Sequence, residues 1–123
     1  MLHEAITDRI IRCYYHVYNT LGYGFLEKIY ENALVIKLRS EGFICLQQPP
    51  IDVYFEGETV GTYFADILVD GKIILEIKAG NAEHIVAHEC QLINYLKATG
   101  MEIGLLLFFG RKSCVKRKIF THY

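Results

Sequence analysis

Asp66, Glu76 and Lys78 are the residues whose types and spacing could do chemistry. They lie in the stretch 63–79, YFADILVDGKIILEIKA, where charge is set into two apolar runs. Strand side chains alternate faces, so Glu76 and Lys78 point one way and Leu75 and Ile77 the other. An ionised carboxylate or ammonium withdrawn from water loses several kcal/mol unless it is paired, hydrated or bound to a metal. Two carboxylates about 5 Å apart at an effective dielectric near 20 repel by roughly 3 kcal/mol. Asp66 and Glu76 on one face would therefore favour a cation between them. Hard oxygen ligands with water completing an octahedron suit Mg²⁺ or Mn²⁺ better than zinc, and the Ile77 carbonyl could add a ligand.

Whether the three groups meet depends on the turn. A two-residue loop at Asp70-Gly71 would set Asp66 opposite Leu75, on the wrong face for Glu76. A three-residue loop, either Val69-Asp70-Gly71 or Asp70-Gly71-Lys72, brings Asp66 onto the face of Glu76 and Lys78. The odd loop is the expectation.

The remaining elements must hold this hairpin in place. Ile6, Ile10, Cys13, Tyr14, Val17 and Leu21 recur at three-and-four spacing and predict an amphipathic helix over 4–20. Gly22 and Gly24 break it, and a second helix is expected over 25–40, closed by Gly42. Glu27 falls in the first turn of that helix, where the dipole favours a carboxylate by about 0.3–1 kcal/mol. After Pro49-Pro50, extended stretches over 51–56, 60–69 and 72–79 predict an antiparallel meander of three strands. A helix over 82–99, capped by Asn81 and ended by Gly100, follows. Its His84, His88, Gln91 and Tyr95 form one polar stripe, with Leu92, Ile93 and Leu96 turned to the sheet. The apolar run 103–109 predicts a strand buried on both faces and reached by a crossover. A last strand over 114–120 carries Lys116, Arg117 and Lys118, part of a basic cluster that is otherwise a solvated surface.

Asp66 followed by Glu76-Ile77-Lys78 resembles the D…(D/E)-x-K signature of the PD-(D/E)XK nucleases, with Ala65 in place of the proline. Gly24-Phe25-Leu26-Glu27-Lys28-Ile29-Tyr30 is similar to the motif that names the GxxExxY protein family, a branch of that group. The resemblance implies an α/β fold with a restriction endonuclease-like core. In it a mixed central sheet, made of the meander, the buried strand and the C-terminal strand, is joined through a crossover helix and backed by two N-terminal helices. It implies metal-dependent hydrolysis of phosphodiester bonds in nucleic acid, DNA or RNA. Asp66, Glu76 and the Ile77 carbonyl would bind Mg²⁺ or Mn²⁺, and Lys78 would orient a water or offset charge on phosphorus. Glu27 would hold a further water or ion, Gln91 and Tyr95 would fix substrate or Lys78, and His88, Lys116, Arg117 and Lys118 would contact substrate. The chain departs from the family where Phe108 replaces the asparagine usual before Phe109-Gly110, which puts turnover in question.

Composition bounds these readings. The 123 residues make one domain spanning 1–123, and 52% hydrophobic and 13% aromatic content excludes disorder. A formal net charge of −1 means that a nucleic-acid partner must be held by a local patch. The start, MLHEAITDRI, lacks a signal-peptide pattern and no apolar run could span a bilayer, so a cytoplasmic protein without a membrane partner is expected. Cys13, Cys45, Cys90 and Cys114 lie far apart and are expected as buried free thiols. Oligomeric state is open, and a homodimer would let so small a nuclease domain reach both strands. The alternative to catalysis is a binding or regulatory module that keeps the fold without turnover, in which Lys78 would bridge Asp66 and Glu76 as a buried ion pair.

Overall fold

The computed structural model describes residues 3–122. Helix α1 (Glu4–Leu21) and helix α2 (Glu27–Ser40) come first. Strands β1 (Cys45–Gln47), β2 (Pro50–Phe55), β3 (Glu58–Phe64), β4 (Ile67–Val69) and β5 (Ile73–Ala79) follow, then helix α3 (Ile85–Thr99) and strands β6 (Ile103–Phe109) and β7 (Ser113–Ile119). Five strands form a mixed sheet in the order β1-β4-β5-β6-β7. β5 and β6 are its parallel pair, joined by α3, and the other neighbours run antiparallel.

The apolar run of β6 sits between β5 and β7 with all seven residues buried, as a strand covered on both faces requires. Alternation sorts the sheet into two cores. Ile73, Leu75 and Ile77 of β5 join Leu105 and Leu107 of β6 beneath α1 and α2, whose Ile10, Tyr14, Tyr30 and Leu34 are fully buried. Ile74 and Leu106 face the other way, onto Leu92 and Leu96 of α3. Gly104 lies under that helix, and a Cβ there would come 2.7 Å from the Leu92 side chain.

The meander departs from expectation. The stretch 60–69 is broken at Ala65-Asp66, and β2 and β3 form a separate two-stranded sheet. The position beside β4 is taken by β1, a three-residue strand hidden in a segment without clear periodicity. Asp70 secures it: its N–H donates to the Ile44 carbonyl at 2.8 Å, and its Oδ1 accepts the Ile44 N–H at 2.9 Å. The hairpin residues are mostly exposed, with Ile51 and Tyr63 packed against the α3 core. Helix α3 begins at Ile85, later than expected, because Asn81 Oδ1 accepts the Glu83 N–H at 3.1 Å and forms a local turn in place of a helix cap. All four thiols are free, but only Cys13 and Cys45 are buried, and Cys90 is exposed on α3.

Candidate active site

The β4–β5 turn has the odd length expected of it. Val69 pairs with Ile73 and Ile67 with Leu75, so the loop is Asp70-Gly71-Lys72, and the same parity carried one residue past the pairing puts Asp66 level with Glu76. Asp70 and Gly71 both have positive φ, 53° and 64°, and the Lys72 N–H closes the turn on the Val69 carbonyl at 3.0 Å. A short polar residue and a glycine tolerate that left-handed pair. Glu76 and Lys78 consequently share the α3 face of β5 with Ile74, while Asp66 stands just before β4, beside the Ile77 N–H.

Asp66 lies in the bend between β3 and β4, where its Oδ2 accepts the Ile77 N–H at 2.7 Å. The N–H and C=O of one strand residue point to the same side. The Ile77 carbonyl is thereby turned towards Asp66 as well. Glu76 Oε1 accepts a hydrogen bond from the Tyr63 hydroxyl. Burial, with added repulsion from Glu31 and Glu27, pushes the Glu76 carboxyl up to about 7 against the pull of Lys78. Asp66 is raised by the same cause, as is Glu27, despite the nearby Lys78.

Lys78 stands among these acids without closing on any of them. The ion pairs among the described residues are Lys28–Glu31, Lys37–Glu41 and Lys118–Glu89, so the buried bridge of Lys78 to Asp66 and Glu76 is not formed. Phe108 is its register partner on β6 and lies on the same face. From α3, the half-buried His88 is held below its ordinary range by burial and by the Lys78 charge. Tyr95 is raised by burial and by Glu76, and its hydroxyl accepts the Gln91 amide at 2.8 Å. His88 and Tyr95 thus feel the site's charges and Gln91 is tied to Tyr95, while Leu92 and Leu96 are buried beneath them.

The start of α2 explains its glycine, glutamate and tyrosine. Gly24 has φ 113°, which lets the chain turn into the helix. The buried Tyr30 stacks on Phe109 at 4.2 Å, and its hydroxyl donates to the Gly22 carbonyl at 2.6 Å and accepts the Phe25 N–H at 3.1 Å. That tie fixes the first turn, from which Glu27 reaches the field of Lys78.

Three contributors escaped the sequence reading. Glu31 is 5% exposed and accepts from Lys28 Nζ at 2.8 Å, from the Gln47 amide, and from Gln48 Nε2 at 2.9 Å. Gln48, at φ 55°, also reaches Asp66 Oδ1 at 3.2 Å, linking the two acids. Tyr63 bonds Glu76 and stacks on Tyr95 with ring centres 3.6 Å apart. Glu31 had a usable signal, since four residues from Glu27 places it on the same helix face. Gln48 and Tyr63 had none, because loop and hairpin deliver them. The basic residues of β7 do not form one patch. Lys116 and Lys118 pair with Leu106 and Gly104 on the α3 face, Lys118 is bound to Glu89 at 2.8 Å, and Arg117 alternates to the other face.

The donors present fit a hard divalent cation: two carboxylates raised by burial, with a strand carbonyl beside them. As they stand, no group of three or more His, Cys, Asp or Glu side chains among the described residues has a metal-holding arrangement. Completion of such a site would fall to backbone and water.

A mixed α/β sheet with a parallel pair crossed by α3, one acid just before β4, a second within β5 and a lysine two residues after it, defines a restriction endonuclease-like protein. The family model of the PD-(D/E)XK nuclease superfamily matches residues 4–119, and the chain belongs to that superfamily. The fold is similar to the crystal structure of SSO0001, with TM-score 0.56 and 17% identity. The match covers 78% of this chain and 50% of that one, so this chain spans about half the length of that protein. No curated protein matches the chain.

Proposed function

We propose that the protein is a cytoplasmic Mg²⁺- or Mn²⁺-dependent phosphodiesterase of the GxxExxY branch, acting on nucleic acid. The observation that carries this reading is the pair Asp66 and Glu76, both raised by burial, with Asp66 bonded to the Ile77 N–H next to Glu76 and a lysine nearby that neutralises neither through an ion pair. Asp66, Glu76 and the Ile77 carbonyl would hold the ion, which when bound supplies a Lewis acid for a phosphate oxygen and an acidified water. Lys78 directs its ammonium at the substrate and offsets the charge that gathers on the phosphoryl oxygens. Glu27 and Glu31 add negative charge around Asp66 and Glu76, and Gln48 fixes the orientation of Asp66. Tyr63 holds Glu76 in place, while His88, Gln91 and Tyr95 form the α3 wall along which a substrate strand would lie.

The purified protein should cleave DNA or RNA with Mg²⁺ or Mn²⁺ and fall silent in chelator. Glu76→Gln and Asp66→Asn should each abolish cleavage and weaken cation binding measured by calorimetry. A second reading, a nuclease-fold binding module, draws on two features. Asp66 Oδ2 is already engaged by the Ile77 N–H, and the apolar Phe108 stands beside Lys78. Nucleic acid bound equally well in chelator, with no cleavage under any metal condition, would establish the module in place of the enzyme.

A further inference from the structure

A cavity opens at the carboxyl ends of β5 and β6, the region of an open α/β sheet where ligands collect. Its volume is about 510 Å³, within the range of small-molecule sites. Tyr23 from the α1–α2 loop, Phe108 from β6 and Ile85 from α3 make its apolar wall, and Asn81, Arg111 and Lys112 stand at its rim. Phe108 links it to the site above, since its register partner is Lys78. Its ring extends over Gly110, where a Cβ would come 2.3 Å from it, so the glycine leaves the space that the ring occupies.

The lining has the features of a nucleotide site. Tyr23 is 54% exposed and offers a ring face, with the Arg111 guanidinium 5.9 Å from its centre. Arg111 and Lys112 enter no ion pair among the described residues, whereas Lys118 is committed to Glu89. Asn81, also in the lining, uses its Oδ1 on the Glu83 N–H, and its amide nitrogen enters no hydrogen bond within the protein among the described residues. Apolar and aromatic walls with two cations at the mouth match a planar base attached to a phosphate. They match a duplex poorly, because a paired base is stacked within its helix and cannot enter.

We propose that this cavity receives the unpaired base of a nucleotide adjoining the bond at Lys78, with Arg111 and Lys112 on its phosphate, so that the substrate is single-stranded or carries an unpaired end. This rests on the nucleic-acid reading above and gives that reading a substrate class.

The test is equilibrium binding of the full chain in chelator, so that no cleavage intrudes. The probes are a single-stranded oligonucleotide containing 2-aminopurine and a blunt duplex of the same sequence. The single strand should bind at least tenfold more tightly, with its fluorescence changed by stacking. Tyr23→Ala and Arg111→Ala, both at exposed positions, should each weaken it by about tenfold. Arg12→Ala, on the α1 surface away from the cavity, should leave it nearly unchanged, and far-ultraviolet circular dichroism would verify that each variant is folded. Equal affinity for duplex and single strand, or folded Tyr23 and Arg111 variants that bind as the parent does, would overturn the inference. Cleavage assayed separately distinguishes the two failures. A protein that cuts nucleic acid with unaltered variants loses only the base pocket, and one that binds through the pocket without cutting loses only the catalysis.

Discussion

At the residue scale the protein is a balance of carboxylates around one lysine. Removing Lys78 leaves Asp66 and Glu76 intact, so Lys78→Ala should still bind Mg²⁺ while cleavage falls by about 10²-fold or more, the loss expected for one charge-stabilising group. Measuring the two properties side by side checks the division of labour. The raised carboxyl of Glu76 also predicts a pH dependence of stability. Below about pH 4.5 it is protonated whether folded or unfolded. Between there and about 7 the unfolded chain gives up a proton that the folded chain retains, so folding stability falls as pH rises. Asp66 and Glu27 are shifted in the same direction and add to the trend. Urea unfolding in chelator should show the protein less stable at pH 8 than at pH 5, by of order 2 kcal/mol. Glu76→Gln should flatten most of that slope.

At the element scale the site depends on how two short connections aim their neighbours. The Asp70-Gly71-Lys72 loop sets the parity of the β4–β5 pairing, which leaves Asp66, one residue before β4, level with Glu76. The Tyr30 hydroxyl ties the loop before α2, through Gly22 and Phe25, and so aims Glu27. Tyr30→Phe keeps the stacking on Phe109 but loses both hydrogen bonds. It should cost about 1 kcal/mol in thermal or urea unfolding. Activity should fall by more than that loss of stability explains, because the first turn of α2 is released; a folded variant with full activity would show that the tie serves stability alone.

At the scale of the whole molecule, the site joins parts of the chain that are separate in sequence. Helix α2, the loop after β1, the β2–β3 hairpin, the β4–β5 junction and α3 all contribute. A cation that binds only this assembled arrangement stabilises the folded state by mass action. Mg²⁺ or Mn²⁺ should therefore raise the melting temperature at pH 8 in a concentration-dependent way, and the rise should vanish in Asp66→Asn and Glu76→Gln. Among the described residues no helix is long and apolar enough to cross a membrane.

The sequence by itself determined the local framework. Three-and-four spacing defined α1 and α2, and the unbroken apolar run of β6 required a strand covered on both faces, because a side chain's position in a regular element follows from its period alone. Parity likewise predicted that Asp66 could meet Glu76 only across an odd loop, and Val69 pairs with Ile73 accordingly. Tertiary structure decided the rest. It broke the stretch 60–69 at Ala65-Asp66 and gave the place beside β4 to β1, a choice made by Asp70 bonding Ile44 across 26 residues. It also brought Gln48 to Asp66 and Tyr63 to Glu76, and it set Lys116 and Arg117 on opposite faces of the sheet. Periodicity carries no information about which distant segment fills a neighbouring position, since that is settled by packing and by the need of buried polar groups for partners.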